Sequence, residues 1–259
     1  MSAPPIRAVT ICVDYGDVAA FTVPYNRQHF AEHWIITTPE DALTQEVARK
    51  HDCKLYLTNE FFHKGAEFAK WRALEMALDS IGRHGWMLML DADICWPQKA
   101  TDALNAWYRH PQVGTLYCPN RRMLEDESRL YDLPKTGVPP ESHWSSLRLH
   151  ANVNEWAGYS LLLHAEDPAL PQGHWHDTNW RSCGGADSFL QQRWTRDKKV
   201  KLPFEVLHIG SDGLNWYGRA TPYLDGRPLH PEAEARKAKY LGQGEERKKT
   251  GFTKERIEP

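Results

Sequence analysis

The sequence predicts an α/β fold: a mostly parallel β-sheet flanked by helices, followed by a loop-rich second half. Three observations carry this. Short runs such as residues 6–13 and 86–90 are apolar on both faces, as strands of a covered parallel sheet are. Between such runs lie stretches of helical period. The clearest is 66–82, where Phe68, Trp71, Leu74, Leu78 and Ile81 recur at steps of three and four and Gly82 closes the pattern. Strand and helix signals alternate as far as residue 118, and then the pattern changes.

In order, residues 6–13 read as a buried strand, broken by Asp14-Tyr15-Gly16-Asp17. A helix follows near 18–30, with Pro24 placed to interrupt it. Residues 34–37 form a second strand. Thr38 then N-caps a helix to about Lys50, with Pro39 at its first position and Asp41 close behind. Residues 54–58 are a third strand and 86–90 a wholly apolar fourth. A helix begins at Pro97 and runs to about Tyr108, and 113–118 is a further strand. Residues 119–154 are polar, with Pro134, Pro139 and Pro140, and read as a loop-rich insert. Residues 157–164 and 200–209 read as strands and 186–194 as a short helix; 229–259 reads as helix or disorder. This gives a single catalytic domain over 1–228, with halves at 1–118 and 119–228, and a basic tail over 229–259.

A chain of 259 residues is long enough for a sizeable core. No apolar run approaches the roughly 20 residues of a membrane span, and residues 1–5 carry no signal core, so a cytoplasmic protein without a transmembrane segment is expected. The five Cys are scattered and form no C-x-x-C pair, which fits that compartment. The net charge of −2 is uneven: residues 236–259 carry eight Lys/Arg against four Asp/Glu, leaving −6 on the remainder. A globally basic nucleic-acid-binding body is thereby excluded, and a basic tail is not.

In open parallel sheets, ligands bind beyond the carboxyl ends of the strands. Three acidic sites fall there: Asp14 beside Tyr15, Asp41, and Asp91-Ala92-Asp93. In an extended segment, Asp91 and Asp93 point the same way and repel each other unless a cation sits between them. Mg²⁺ or Mn²⁺ would use both carboxylates together with phosphate oxygens. The plain alternative is that both aspartates cap the next helix. His174, Trp175, His176 and Asp177 are poorly spaced for a metal. They suit sugar binding, with Trp175 or Trp180 stacked on a pyranose, or else they anchor a loop.

The segment Met87-Leu88-Met89-Leu90-Asp91-Ala92-Asp93-Ile94 resembles the D-x-D segment of GT-A (Rossmann-like) glycosyltransferases, in which the aspartates hold a divalent metal on the diphosphate of a sugar donor. Phe68-Ala69-Lys70-Trp71-Arg72 resembles the helix that carries a basic residue to the nucleotide. Gly184-Gly185-Ala186-Asp187-Ser188-Phe189 resembles the acidic helix start that faces the acceptor, with Ala186 where many members have Glu. Val206-Leu207-His208-Ile209-Gly210, followed by Asn215-Trp216, resembles the closing strand whose His completes the metal site. The four segments stand in family order across about 7–219.

The resemblance implies Mn²⁺ or Mg²⁺ on Asp91, Asp93 and His208. It implies a nucleotide-diphosphate sugar, expected as a UDP-sugar, against Asp14, Tyr15, Asp41, Lys70, Arg72, Asp91 and Trp216, with Asp187 as general base. The expected acceptor is a glycan, small molecule or protein, ahead of modified DNA or a membrane surface reached through the tail. Each residue also has an ordinary alternative: Asp187 as a helix cap, His208 as a hydrogen-bonded strand end, Lys70 as a solvated charge. Three other functions compete. A phosphatase using Asp-x-Asp would place its nucleophile after the first strand. A sugar-phosphate nucleotidyltransferase would carry a Gly-rich, Arg-containing loop where Val13-Asp14-Tyr15-Gly16-Asp17 stands. A non-catalytic nucleotide-sugar binding module would lack the base.

Overall fold

The computed structural model describes residues 5–107, 112–150, 158–183, 186–211 and 215–235. The first half follows the predicted alternation: β1 (Ile6–Ile11), α1 (Gly16–Arg27), β2 (Glu32–Thr37), α2 (Ala42–Lys50), β3 (Lys54–Leu57), α3 (Lys70–Ile81), β4 (Trp86–Asp91), then the short β5 (Ile94–Cys95) and α4 (Ala100–Trp107). The second half adds β6 (Leu116–Leu124), α5 (Glu127–Thr136), β7 (Arg148–His150), β8 (Ser160–His164), α6 (Ala186–Gln191) and β9 (Lys199–Ile209).

The nine strands among the described residues join one sheet in the order β3-β2-β1-β4-β8-β6-β9-β5, with β7 beside β6. Strands β3, β2, β1 and β4 run parallel, and so do β6 and β9. Antiparallel pairing enters only with the later elements: β8 against β4 and β6, β5 against β9, β7 against β6. The core lies where β1, β4 and β8 meet α3. Leu88, Leu161, Leu162, Leu74 and Leu78 are buried there with Trp71 and Trp96.

Several boundaries move, each for a local reason. The second helix starts at Ala42, capped by Asp41 rather than Thr38: the Asp41 carboxylate accepts the Thr44 N–H at 3.1 Å, while the Gln45 amide ties down the carbonyls of Thr38 and Pro39. The third helix starts at Lys70 instead of 66. The Phe68 N–H is taken by the Arg181 carbonyl and the Ala69 N–H by that of Phe61, so the backbone there serves long-range contacts; residues 60–65 form a 3₁₀ turn. The strand expected at 113–118 instead runs through Leu124 into the supposed insert. Its interior Pro119 sits at a register shift against β9, where its missing N–H is tolerated, and Arg122 is held across the strands by Glu205 at 2.6 Å. The chain also coils into α5 and returns as β7, so 119–150 is largely ordered structure. Pro24 lies inside α1 without ending it. Gly16 lets α1 approach α2: a Cβ there would stand 2.6 Å from the Thr44 nitrogen.

Candidate active site

The sheet places a cleft beyond the carboxyl ends of β1 and β4, closed on its far side by β6 and β9. Its lining joins Tyr15, Lys70, Asp91, Asp93, His208 and Trp216 from the sequence reading, and adds Arg121 and Arg219. Ile11 and Asp91 are register partners across β1 and β4. Residues 92 and 93 form a tight turn, after which Ile94 pairs with His208. That turn replaces the expected extended D-x-D and gives the two carboxylates different partners. Asp91 Oδ1 accepts from Lys70 Nζ at 2.5 Å, whereas Asp93 Oδ2 lies 3.5 Å from His208 Nε2.

The electrostatics follow from burial. Burial pushes the Asp93 carboxyl up, and the Asp91 charge pushes the same way; His208, Lys70 and Arg121 oppose them. Burial alone would lower Lys70, but the charge and hydrogen bond of Asp91, with Cys183 and Asp187 behind them, together hold the ammonium above its ordinary range. The Tyr15 phenol is pushed up by burial and by Asp93. Burial also pushes the Cys183 thiol up to about 12, which leaves it inert as a nucleophile.

Asp93 Oδ1 is buried with no hydrogen-bond partner, and His208 Nδ1 is tied to the Gly210 carbonyl at 3.0 Å. With the Nδ1 proton on that carbonyl, the Nε2 lone pair is directed toward Asp93, as in imidazole ligands steadied from behind. Among the described residues no group of three His, Cys, Asp or Glu side chains is placed to hold a metal ion unaided. Asp93 and His208, with Asp91 held by Lys70 beside them, are of the donor types that suit a cation also taking phosphate oxygens. Imidazole favours Mn²⁺ over Mg²⁺ in such a set.

Two expected nucleotide contacts lie elsewhere. Arg72 is roughly 200° around the helix from Lys70 and pairs with Glu60 at 2.5 Å, outside the cleft lining. Asp41 is buried, its carboxylate occupied by the N–H groups of Asp14 and Thr44 and by the Thr37 hydroxyl. Asp14 contributes backbone: it adopts a left-handed conformation (φ 59°), its N–H on Asp41 and its carbonyl accepting from Arg219 at 2.8 Å. Trp175 and Trp180 are core residues and no sugar platform. The nearby histidines brace α3 instead, His176 on Glu75 at 2.7 Å and His174 on Asp79 at 2.9 Å.

Asp187 lies in the first turn of α6, and its Oδ2 accepts the Gly158 N–H at 2.8 Å. Only glycine fits at 158, since a Cβ there would stand 2.7 Å from that of Asp187. The Asp187 charge also acts on Lys70, so the two belong to one electrostatic neighbourhood.

Arg121 and Arg219 were not found from sequence. Arg121 is 4% exposed and lies 4.5 Å over the Tyr159 ring. Its signal was strand alternation with Met123, hidden in a segment that reads as polar loop. Arg219 is 2% exposed, sandwiched between the rings of Tyr15 and Tyr223 at 4.6 and 4.2 Å, and paired with Asp17. It fastens the segment after β9 onto the β1–α1 turn, and no periodicity announces it.

No protein-family model matches the sequence, and no curated protein matches it significantly. Solved structures overlap it over nearly its whole length. A mannosyltransferase from Pyrobaculum calidifontis, solved with GDP-Man and Mn²⁺, shares 15% identity over 97% of this chain, with a TM-score of 0.47; the chain spans 66% of that protein. Mannosyl-3-phosphoglycerate synthase from Rubrobacter xylanophilus shares 16% over 95% of this chain and 75% of its own, with a TM-score of 0.48. Glucosyl-3-phosphoglycerate synthase from Mycobacterium tuberculosis, solved with Mn²⁺, UDP and glucosyl-3-phosphoglycerate, shares 12% over 94% of this chain and 79% of its own, at 0.44.

Proposed function

We propose that this chain is a glycosyltransferase that moves a sugar from a nucleotide-diphosphate donor, a UDP-sugar in the first instance, to an acceptor hydroxyl by direct displacement. The observation that carries the reading is the Asp91–Asp93 turn at the mouth of the parallel strands, with Lys70, Arg121 and His208 gathered around it. Departure of a nucleoside diphosphate builds negative charge on its phosphates. A divalent ion on Asp93 and His208 would neutralise part of that charge. Lys70 is placed to take up the rest, in a site where burial strengthens every such interaction. Asp187 is the candidate base for the acceptor proton, held in place by the Gly158 N–H. With Asp187 taking its proton, the acceptor oxygen would attack opposite the departing diphosphate, which implies inversion at the anomeric carbon. The acceptor is a glycan, small molecule or protein; the basic tail, residues 236–259, lies outside the described residues.

The test is incubation with a panel of nucleotide-sugars and Mn²⁺, scored for release of nucleoside diphosphate. Turnover is expected in the wild type, and none in Asp93→Ala although that variant keeps its circular dichroism spectrum. Full activity of Asp93→Ala in EDTA-treated buffer would overturn the reading, and phosphate release from phosphomonoesters would favour a phosphatase.

A further inference from the structure

The Asp91–Lys70 contact is more than a neutral pair beside a metal site. Lys70 Nζ stands 2.5 Å from Asp91 Oδ1, with the lysine side chain 13% exposed. The ammonium also lies 4.9 Å over the Trp71 ring. A cation so enclosed does not leave its carboxylate for nothing, because an unpaired buried charge costs several kcal/mol. Lys70 is moreover the first residue of α3, a helix of twelve residues, whose N-terminal dipole disfavours a positive charge. That end of the helix is eased by an anion and strained by a second cation.

We propose that Lys70 is a built-in counter-cation for Asp91, so that the free protein holds a divalent ion only through Asp93 and His208, and binds it tightly once a nucleoside diphosphate draws the ammonium off Asp91. The proposal rests on the reading of the cleft as a donor site. A divalent ion arriving alone meets one neutralised carboxylate and an ammonium beside it. A diphosphate arriving with the ion gives the ammonium a new partner and returns Asp91 to the ion. Metal and nucleotide binding are then one coupled equilibrium, and linkage requires each to tighten the other by the same factor.

The experiment titrates Mn²⁺ into the full chain, reading free Mn²⁺ by electron paramagnetic resonance, with no nucleotide and with saturating UDP or GDP. Wild-type affinity for Mn²⁺ is expected to rise by about tenfold or more with nucleotide, within the usual range of coupling. Lys70→Met keeps the stem over Trp71 and removes the charge. It should bind Mn²⁺ more tightly than wild type without nucleotide, and nucleotide should then help it little. Lys70→Arg should restore weak binding in the free state. Equal Mn²⁺ affinity of the wild type with and without nucleotide overturns the inference and spares the donor-site reading. No Mn²⁺ binding even with nucleotide overturns both. A folded Lys70→Met that binds Mn²⁺ no better than wild type overturns the inference; if it does not fold, Lys70→Gln is read in its place, against the same two outcomes.

Discussion

The two halves of the sheet are built by different means. Strands β1 and β4 are buried and largely apolar on both faces, with α1 to α3 packed over this half, while Glu32 on β2 pairs with Arg7 and Lys54 toward the sheet edge. Strands β6, β7 and β9 add charge to a core that the apolar β8 still shares: Arg122 on Glu205, Arg148 on Glu125, and Arg121 over Tyr159. The cleft lies at their seam, where β4 of the first half meets β8 and the tip of β9 reaches Asp93. The difference teaches why the charged groups collect there. The first half supplies Lys70, Asp91 and Asp93 from the ends of α3 and β4, and the second half supplies Arg121 and His208 to meet them.

The comparison can be broken most severely at Asp187. If the second half supplies the base, Asp187→Asn lowers transfer by about 10²–10⁴-fold and leaves donor binding nearly intact. Isothermal titration with UDP beside initial rates separates the cases: lost nucleotide affinity would move Asp187 to the donor side, and unchanged rates would return it to a structural role.

Next comes Arg219, the strap between the halves. Its guanidinium is 1% exposed and its partner Asp17 is 8% exposed. Arg219→Met leaves Asp17 buried without its cation, which is expected to cost about 3–5 kcal/mol. Urea denaturation measures the loss. A change under 1 kcal/mol, roughly the worth of an exposed pair, would mean that the strap is not what joins the segment after β9 to β1.

The smallest effect belongs to the first half alone. Burial holds the His33 imidazole down at about 3, next to the Thr10 hydroxyl at 3.0 Å. A folded-state value below the unfolded 6.5 means that folding excludes a proton. Its stabilising contribution is complete above that value and is lost as pH falls toward 3. Urea midpoints between pH 7 and pH 4 should therefore fall less steeply in His33→Gln than in the wild type; identical slopes would place the acid sensitivity elsewhere.

What could be read beforehand follows the same division. The first half was legible because its strands must be apolar on both faces, and Trp86 to Leu90 offers no other reading. The Asp91–Asp93 turn was legible because its acids break that run abruptly. β6 was hidden because Pro119, Arg121 and Arg122 look like loop residues until Glu205 is known to stand opposite. Arg72 stands in one motif with Lys70, but two residues on a helix are roughly 200° apart, so it pairs with Glu60 outside the cleft lining. Asp41 took the capping role assigned to Thr38, because its carboxylate reaches three donors at once. Arg219 could not be foreseen, as its partners lie about two hundred residues away.

The place of β8 bears on how the chain is made. It sits between β4 and β6 in the sheet, yet it comes roughly seventy residues after β4 in the chain. A ribosome adding about 5–20 residues per second leaves the outer edge of β4 without its neighbour for several seconds. That edge, Trp86-Met87-Leu88-Met89-Leu90, is uncharged and unusually sticky while it waits. Yield in the cell should thus depend on how promptly Ser160–His164 arrives, or on a chaperone that covers β4 until it does.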